Sequence, residues 1–522
     1  MNNIFDVIII GSGIAGLTAA IHLQEAKLKV AIVTKNSNPK DSNTYNAQGG
    51  IIAWRENDSK ESLADDIYSA GCNINNREAV ETLSKNGPRL VFDFLIDKIG
   101  VVFSKDINGN IDYTAEAAHS NRRILHCQDQ TGKRIEDSLI EYSEKIKIPI
   151  YKSYTAIDLI SNNHHSENSQ ELYKEREIMG VYFLNNESGE VEIFFAHNVI
   201  LATGGIGNLY QYTTNPLAAT GDGISMAYRS GADIINCEYV QFHPTALFHK
   251  DIKRFLISES LRGEGAKLVD QNGYQFMEKY SPLKELAPRD IVSRAIYEEM
   301  NKQGKEYLFL DIANYYNGEK RIEDRFEQIY NTCLSGGIDI TKSPIPIVPA
   351  AHYFCGGIKV DTNGRTSIKN LFAIGEVSCT GLHGANRLAS TSLLEGLLWG
   401  RNTANYIINN FKEIDKKRFE SIPEWKFPKN VVNFDTILIY QDWKFIKLTM
   451  WNYAGIIRTK KGLERAESDL NFYSHRIFKF YKEAKLTRDI IELRNGIISA
   501  SLIVSHAIHN TKSLGCHYRV DS

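Results

Sequence analysis

A short, mostly apolar run, FDVIII (5–10), opens the folded part of the chain. It is β-branched and too short for a helix, which is the pattern of a buried strand. The turn GSGIAG follows, and then LTAAIHLQEA, in which Leu17, Ala20, Ile21 and Leu23 recur at helical spacing. KVAIVTK (29–35) is a second strand. Together they predict a βαβ unit with parallel strands and a right-handed crossover. YTAIDLI and GVYFLNN read as strands around a polar, solvated loop at 161–178, and 104–114 reads as another such loop. NVILAT (198–203) and NLFAIGE (370–376) are further strands. The dinucleotide-type elements thus fall in two blocks, parted by about a hundred residues of mixed strand and helix, which predicts one domain inserted into another. From about residue 422 onward the spacing is helical, as in ESDLNFYSHRIFKFYKEAK and LRNGIISASLIVSHAI, and no internal repeat occurs.

Composition narrows the class. A chain of 522 residues is too long for one simple core. Its 43% hydrophobic and 24% charged residues are those of a soluble globular protein. A net charge of −2 gives no electrostatic drive toward nucleic acid or an anionic membrane. The seven cysteines are scattered, odd in number and without a C-x-x-C pair. A disulfide framework or zinc ribbon is therefore not expected, and a reducing, cytoplasmic compartment is. MNNIFDVIII enters a strand at once, so no secretory signal is expected. No apolar run reaches the roughly 18 residues of a membrane span. His164 and His165 have no third ligand spaced nearby and read as loop residues.

Gly11, Gly13 and Gly16 form G-x-G-x-x-G between strand and helix, with Ser12, Ile14 and Ala15 between them. The first glycine makes the turn, the second lets backbone approach a pyrophosphate, and the third allows close helix–strand packing. The helix N-terminus adds N–H donors and partial positive charge. The second strand ends in Thr34 and Lys35 where an acid usually meets the ribose. Thr34 is thus expected at the ribose and Lys35 nearer the phosphates.

Eight stretches then occur in order: SNTYNAQGGI, ATGGIG, GDGISMA, QFHPT, ESLRGEG, APRDIVSRAI, AAHYFCGGI and GEVSCTGLHGANRLASTSLLEG. They resemble the flavoprotein family of succinate dehydrogenase, fumarate reductase and L-aspartate oxidase over nearly the whole chain. The resemblance implies an α/β fold, a Rossmann-like FAD-binding domain interrupted by an α+β capping domain, plus a C-terminal helical domain. The expected boundaries are 1–236 and 352–421 for the FAD-binding parts, 237–351 for the cap and 422–522 for the helical domain. It also implies that Ser42, Asn43, Thr44, Tyr45, Asn46, Ala47, Gln48, Gly49 and Gly50 run along the flavin. In the succinate and fumarate enzymes a histidine five residues before the glutamine is bonded to FAD. Here that position is Asn43, and an amide cannot form the bond, so FAD is expected to be non-covalent. Asp222, Glu376, Ser392 and Leu393 complete the implied flavin contacts, with a plain helix N-cap as the alternative for Asp222.

The family's substrates are C4 dicarboxylates, which need cations and donors at both ends. Carried over by motif, His243, His352 and Arg387 hold carboxylates, with Ser258 and Glu259 nearby. Arg289 handles the proton, with Glu259 or Arg262 as shuttle partners. EAAHSNRRILH resembles the oxidase branch's E-G-G-H-S-x-R-R-I-x-H, and this places Glu116 by a substrate ammonium group. A carboxylate is needed there only if an amine is bound. Asn43, Glu116 and the chain length all lean toward the oxidase branch. The activity implied is FAD-dependent oxidation of L-aspartate to iminoaspartate, with O2 or fumarate as acceptor, feeding quinolinate synthase in NAD biosynthesis. A dehydrogenase or reductase flavoprotein subunit with an iron–sulfur partner, and a non-catalytic dicarboxylate sensor, are the alternatives. Leu514 stands where the family has arginine, so an anchoring charge near the C-terminus is lost.

Overall fold

The computed structural model describes residues 3–56, 58–116, 118–413, 416–427 and 435–521. Strands Ile4–Ile10 and Val30–Val33 pair in parallel around the helix Ile14–Glu25, as the apolar pattern predicts. They belong to a seven-stranded sheet. Its central strand, Val191–Leu201, pairs in parallel with Ile4–Ile10 on one edge. On the other edge its first half pairs antiparallel with Ile178–Asn185 and its last residues pair in parallel with Leu371–Ala373. The late strand thus takes the edge that the hairpin leaves open. This is how the two distant blocks of sequence close into one sheet, with both faces buried.

The segment between them builds a four-stranded antiparallel sheet from Val240–Leu247, Ile345–Phe354, Leu308–Asp311 and Lys267–Val269. The expected boundary between 351 and 352 falls inside the strand Ile345–Phe354, so that strand runs from the inserted region straight to His352. The helix Arg289–Gln303 packs on this sheet and has its own apolar core. Helices Thr436–Tyr453, Lys460–Glu483 and Arg488–His509 follow. Their Ile446, Leu463 and Leu493 join the core that holds Ile8, Val199 and Leu371. The structure thus has the Rossmann-like sheet, the α+β insertion and the C-terminal helices.

Two expectations need correction. The loop at 161–178 is not wholly solvated. Asn162, Glu171 and Glu177 are buried, and Glu177 pairs with Arg418 and Lys369, so its flanks are folded against the following chain. Nor does Leu514 leave the tail unanchored. Buried Arg458 donates to His517 Nδ1 (2.7 Å), Arg294 lies over Tyr518 and Cys516 N–H donates to Ala385 O (2.9 Å). Leu514 itself packs by Tyr239, Tyr353 and Ala385. Apolar contact replaces the charge.

Candidate active site

The glycine turn works by close approach. Gly11 has φ +119°, and a Cβ there would lie 2.1 Å from Ala202 O; a Cβ on Gly16 would lie 2.2 Å from Gly11 O. Gly16 therefore packs helix on turn and does not line the cavity, whereas Gly11, Ser12, Gly13, Ile14 and Ala15 do. The loop at 41–50 seats itself against that turn. Thr44 Oγ1 accepts from Ile14 N (3.1 Å), Ser12 Oγ donates to Pro39 O (2.7 Å) and Gly50 N donates to Ser390 Oγ (3.3 Å). Ser42 through Gly50 all line the cavity, as do Glu376, Ser392 and Leu393. Ser392 and Leu393 lie in the first turn of the helix Thr391–Asn410, whose partial positive end is thereby turned toward the site.

Lys35 and Asp222 line the cavity but are spoken for. Lys35 Nζ pairs with Asp222 (2.6 Å) and Glu492 (2.7 Å), so its charge is matched within the protein and is not free for phosphates. Asp222 is not an N-cap either: Gly221 caps that helix, and the Asp222 carboxylate also accepts from Thr220 and Asn495. Burial alone would push Asp222 upward, but Lys35 outweighs it and holds the acid below its usual range.

The same cavity, of about 690 Å³, is also lined by His243, Ser258, Glu259, Arg289, His352, Arg387 and Glu116. Sequence distances of more than a hundred residues are closed by strand pairing, with His243 on Val240–Leu247 opposite Ala350. Arg289 Nε donates to Glu259 Oε2 (2.7 Å), and Glu259 lies 3.6 Å from Arg262. Burial raises Glu259, but Arg289 and Arg262 bring it below the ordinary carboxylate value, so it is ionised. Ser258 is partly committed elsewhere, because its Oγ accepts from Ser260 N at 3.3 Å. His243 Nδ1 accepts from Thr245 N (3.2 Å), so the neutral ring carries its proton on Nε2. His352 Nδ1 meets Thr214 Oγ1 at 2.8 Å. Burial, with Arg289 beside one ring and Arg387 beside the other, lowers both imidazoles well below their usual value. They face the cavity as neutral hydrogen-bonding groups.

Three residues that the motifs carried unnoticed organise this cluster. Gln241 Oε1 accepts from Arg289 Nη1 (3.2 Å) and Arg387 Nη2 (3.1 Å), while its amide donates to Asn386 and to Arg387 O. One carbonyl thus holds two guanidinium groups in a fixed relation. Tyr353 lies under Arg387, 4.4 Å from ring centroid to guanidinium carbon, and its hydroxyl donates to buried Glu395 (2.9 Å). Ser390 donates to Glu116 Oε2 at 2.7 Å. Gln241 lies two residues before His243 within QFHPT, where its identity was visible and its role was not. Burial raises Glu116, opposed first by Arg289. Gly49 makes room for it: a Cβ there would lie 2.8 Å from Glu116 Oε1.

The donor set fits a flavin dinucleotide. Gln48 Oε1 and Arg387 Nε are buried without hydrogen-bond partners among the described residues. Gly204 has φ +72° and open space where a Cβ would stand. Among the described residues no group of His, Cys, Asp and Glu could hold a metal, and no helix is long and apolar enough to cross a membrane.

A glycine turn at a helix N-terminus, sharing one cavity with a cluster of arginines and histidines, is the layout of an FAD-dependent oxidoreductase acting on small anions. The family model described as FAD binding domain matches residues 6–393, and that of the fumarate reductase flavoprotein C-terminus matches 444–522. An L-aspartate oxidase of Yersinia pestis is 43% identical, covering 99% of this chain and 96% of its own. A chloroplastic L-aspartate oxidase of Nicotiana tabacum is 37% identical, covering 99% and 81%. Among solved structures, an E. coli quinol fumarate reductase chain superposes with a TM-score of 0.87 at 28% identity, covering 99% of this chain and 91% of that one. The chain belongs to the L-aspartate oxidase family, within the flavoproteins of succinate dehydrogenase and fumarate reductase.

Proposed function

We propose that the chain oxidises L-aspartate to iminoaspartate, with O2 or fumarate as the electron acceptor. The observation that carries this reading is Glu116, a half-buried carboxylate that lines a cavity otherwise furnished with arginines and histidines for binding carboxylates. An amine-free C4 dicarboxylate would be repelled by it, whereas a substrate ammonium supplies the counter-charge that Glu116 lacks. Ser390 orients the acid, and Gly49 lets it approach the flavin-side loop.

Arg387 and Arg289, tied through Gln241, bind the two carboxylates together with His243 and His352 as neutral partners. Bound in the cavity, FAD supplies a hydride acceptor for the substrate Cα. Gly11 to Ala15, the loop Ser42 to Gly50, Glu376, Ser392 and Leu393 hold it without a covalent link. Glu116 steadies the ammonium, and its upward displacement suits it to receive a proton as the amine is oxidised. The chain Arg289–Glu259–Arg262 carries protons between the cavity and the protein behind it. We place the enzyme in a reducing cytoplasm, where its seven free cysteines persist, and upstream of a quinolinate synthase.

The test is anaerobic. The purified flavoprotein is mixed with L-aspartate, and in parallel with succinate, while oxidised-flavin absorbance is followed. Bleaching by aspartate alone is expected. Bleaching by succinate alone overturns the reading and favours a dehydrogenase subunit.

A further inference from the structure

Of the described residues from Glu116 to Arg123, Glu116 alone lines the cavity. Arg123 is fully buried, at 0% exposure. Its Nε and Nη2 donate to the two oxygens of Asp58 (2.8 and 3.0 Å), Nη1 donates to Asp66 (2.7 Å), and Nη2 also reaches Ser62 Oγ (2.8 Å). Asp66, on the helix Lys60–Ala70, further accepts from Ser120 N and Ser120 Oγ, both at 2.9 Å. Asn121 Nδ2 donates to Asp58 and Ser62, both at 3.0 Å. On the opposite side His119 Nε2 meets Ala389 O (3.0 Å); a carbonyl only accepts, so that nitrogen carries the proton. Ser390, the next residue, donates to Glu116.

Between Glu116 and His119 lies Ala118, with φ +66°. The left-handed conformation costs a residue with a Cβ about 1–2 kcal/mol, and such residues persist where surrounding structure over-determines them. Arg123 supplies that determination. Its planar fork, fully buried and paired with two carboxylates at 2.7–2.8 Å, is fixed in one orientation.

We propose that the Arg123 hub is the positioning device for amine selectivity, fixing the loop so that Glu116 meets a substrate's ammonium group. The inference rests on the Glu116 reading above. Asp58, Asp66, Ser120 and Arg123 touch neither substrate nor cofactor, and they act through the loop. Loosening the hub costs the amine-bearing substrate its counter-charge and leaves the carboxylate contacts of Arg387, His243 and His352 in place. Amine-free dicarboxylates lose no contact and are relieved of part of the repulsion from Glu116, so their binding is not weakened.

The experiment compares holoenzymes carrying Asp66→Ala, Ser120→Ala, Asp66→Asn and Glu116→Gln. The readouts are KM and kcat for L-aspartate, the Kd of succinate from flavin absorbance, and FAD content. Asp66→Ala is expected to raise KM for aspartate about tenfold, on the scale of a small misplacement of a reacting group, with succinate Kd unchanged or lower. Asp66→Asn keeps an acceptor and recovers part of the loss. Ser120→Ala leaves the buried ion pairs intact and serves if Asp66→Ala does not fold; it shifts aspartate KM in the same direction. Equal losses for both ligands, or no loss for either, overturn the inference. If Glu116→Gln itself leaves the preference for aspartate unchanged, the ammonium reading fails and the inference falls with it. If Glu116→Gln abolishes that preference while the hub variants do not, only the inference fails.

Discussion

The Asn43 side-chain amide donates to Glu376 Oε2 at 2.9 Å, joining two loops 333 residues apart in the chain. The other oxygen of Glu376 accepts from Phe354 N at 3.0 Å, so the acid is held from both sides at the cavity wall. The position that carries a covalent histidine in the succinate and fumarate enzymes is here a hydrogen-bond donor to this carboxylate.

An amide has no nucleophilic lone pair to give a flavin methyl group, so the cofactor is expected to leave on denaturation. Acid precipitation should put all the yellow colour into the supernatant and leave a colourless pellet. Flavin fluorescence in the washed pellet on a denaturing gel would contradict the assignment.

Glu376 is displaced by burial to about 7 from 4.5, which corresponds to about 3 kcal/mol. Below pH 4.5 folded and unfolded states are both protonated at this group and it contributes nothing. Between 4.5 and about 7 the unfolded chain gives up the proton and the folded one keeps it, so stability falls as pH rises. Urea unfolding of the apoprotein across this window should show Glu376→Gln gaining on the wild type as pH climbs. Parallel curves would show that the acid is ionised when folded.

His243 and His352 are lowered well below their usual value by burial, and neighbouring arginines add to it. Neither should gain a proton between pH 8 and 6. In a Glu116→Gln, Glu376→Gln background, which removes the cavity's two raised carboxyls, the Kd of an unreactive dicarboxylate is therefore expected to be flat over that range. Marked tightening toward pH 6 in that background would mean that an imidazolium binds the carboxylate.

Gln241 holds both guanidinium groups on one oxygen. Gln241→Leu removes that shared acceptor and leaves a buried and a half-buried cation to repel each other. A fall in kcat/KM of about 100-fold or more is expected, with FAD content retained, on the scale of losing one preorganised polar group. Unchanged kinetics would show that the arginines are held by other contacts.

Ala118, at φ +66°, occupies a position where the resembling family has glycine. Ala118→Gly should raise stability by about 0.5–1 kcal/mol, because relief of the left-handed strain outweighs the entropy that glycine adds to the unfolded chain. The urea midpoint is the measurement. A lower midpoint would show that the backbone there is unstrained.

Much of the architecture was legible along the chain. The strand-turn-helix at residues 4–25, the late strand Leu371–Ala373 and the terminal helices are local patterns of apolar spacing, and they appear where that spacing puts them. Motifs with strong chemical identity, such as those holding His243, Arg289, His352 and Arg387, also announced their residues, which share one cavity. The polar composition of 161–178 predicts a solvated loop. Its burial comes from Arg418, far along the chain, which composition cannot see.

Residue type, spacing and order by themselves determined the cofactor class, the family and the list of ionisable groups at the site. Charge state and partnership were decided only by the fold. Lys35 is a free cation in the sequence and a doubly paired one in the structure. Asn43 is a missing histidine in the sequence and a donor to Glu376 in the structure. Arg123 is one arginine of a pair in the sequence and the buried hub of a loop in the structure. The physical reason is common to all three. A side chain's chemistry is local, but desolvation and hydrogen-bond partners come from segments brought close only when the sheets and helices pack.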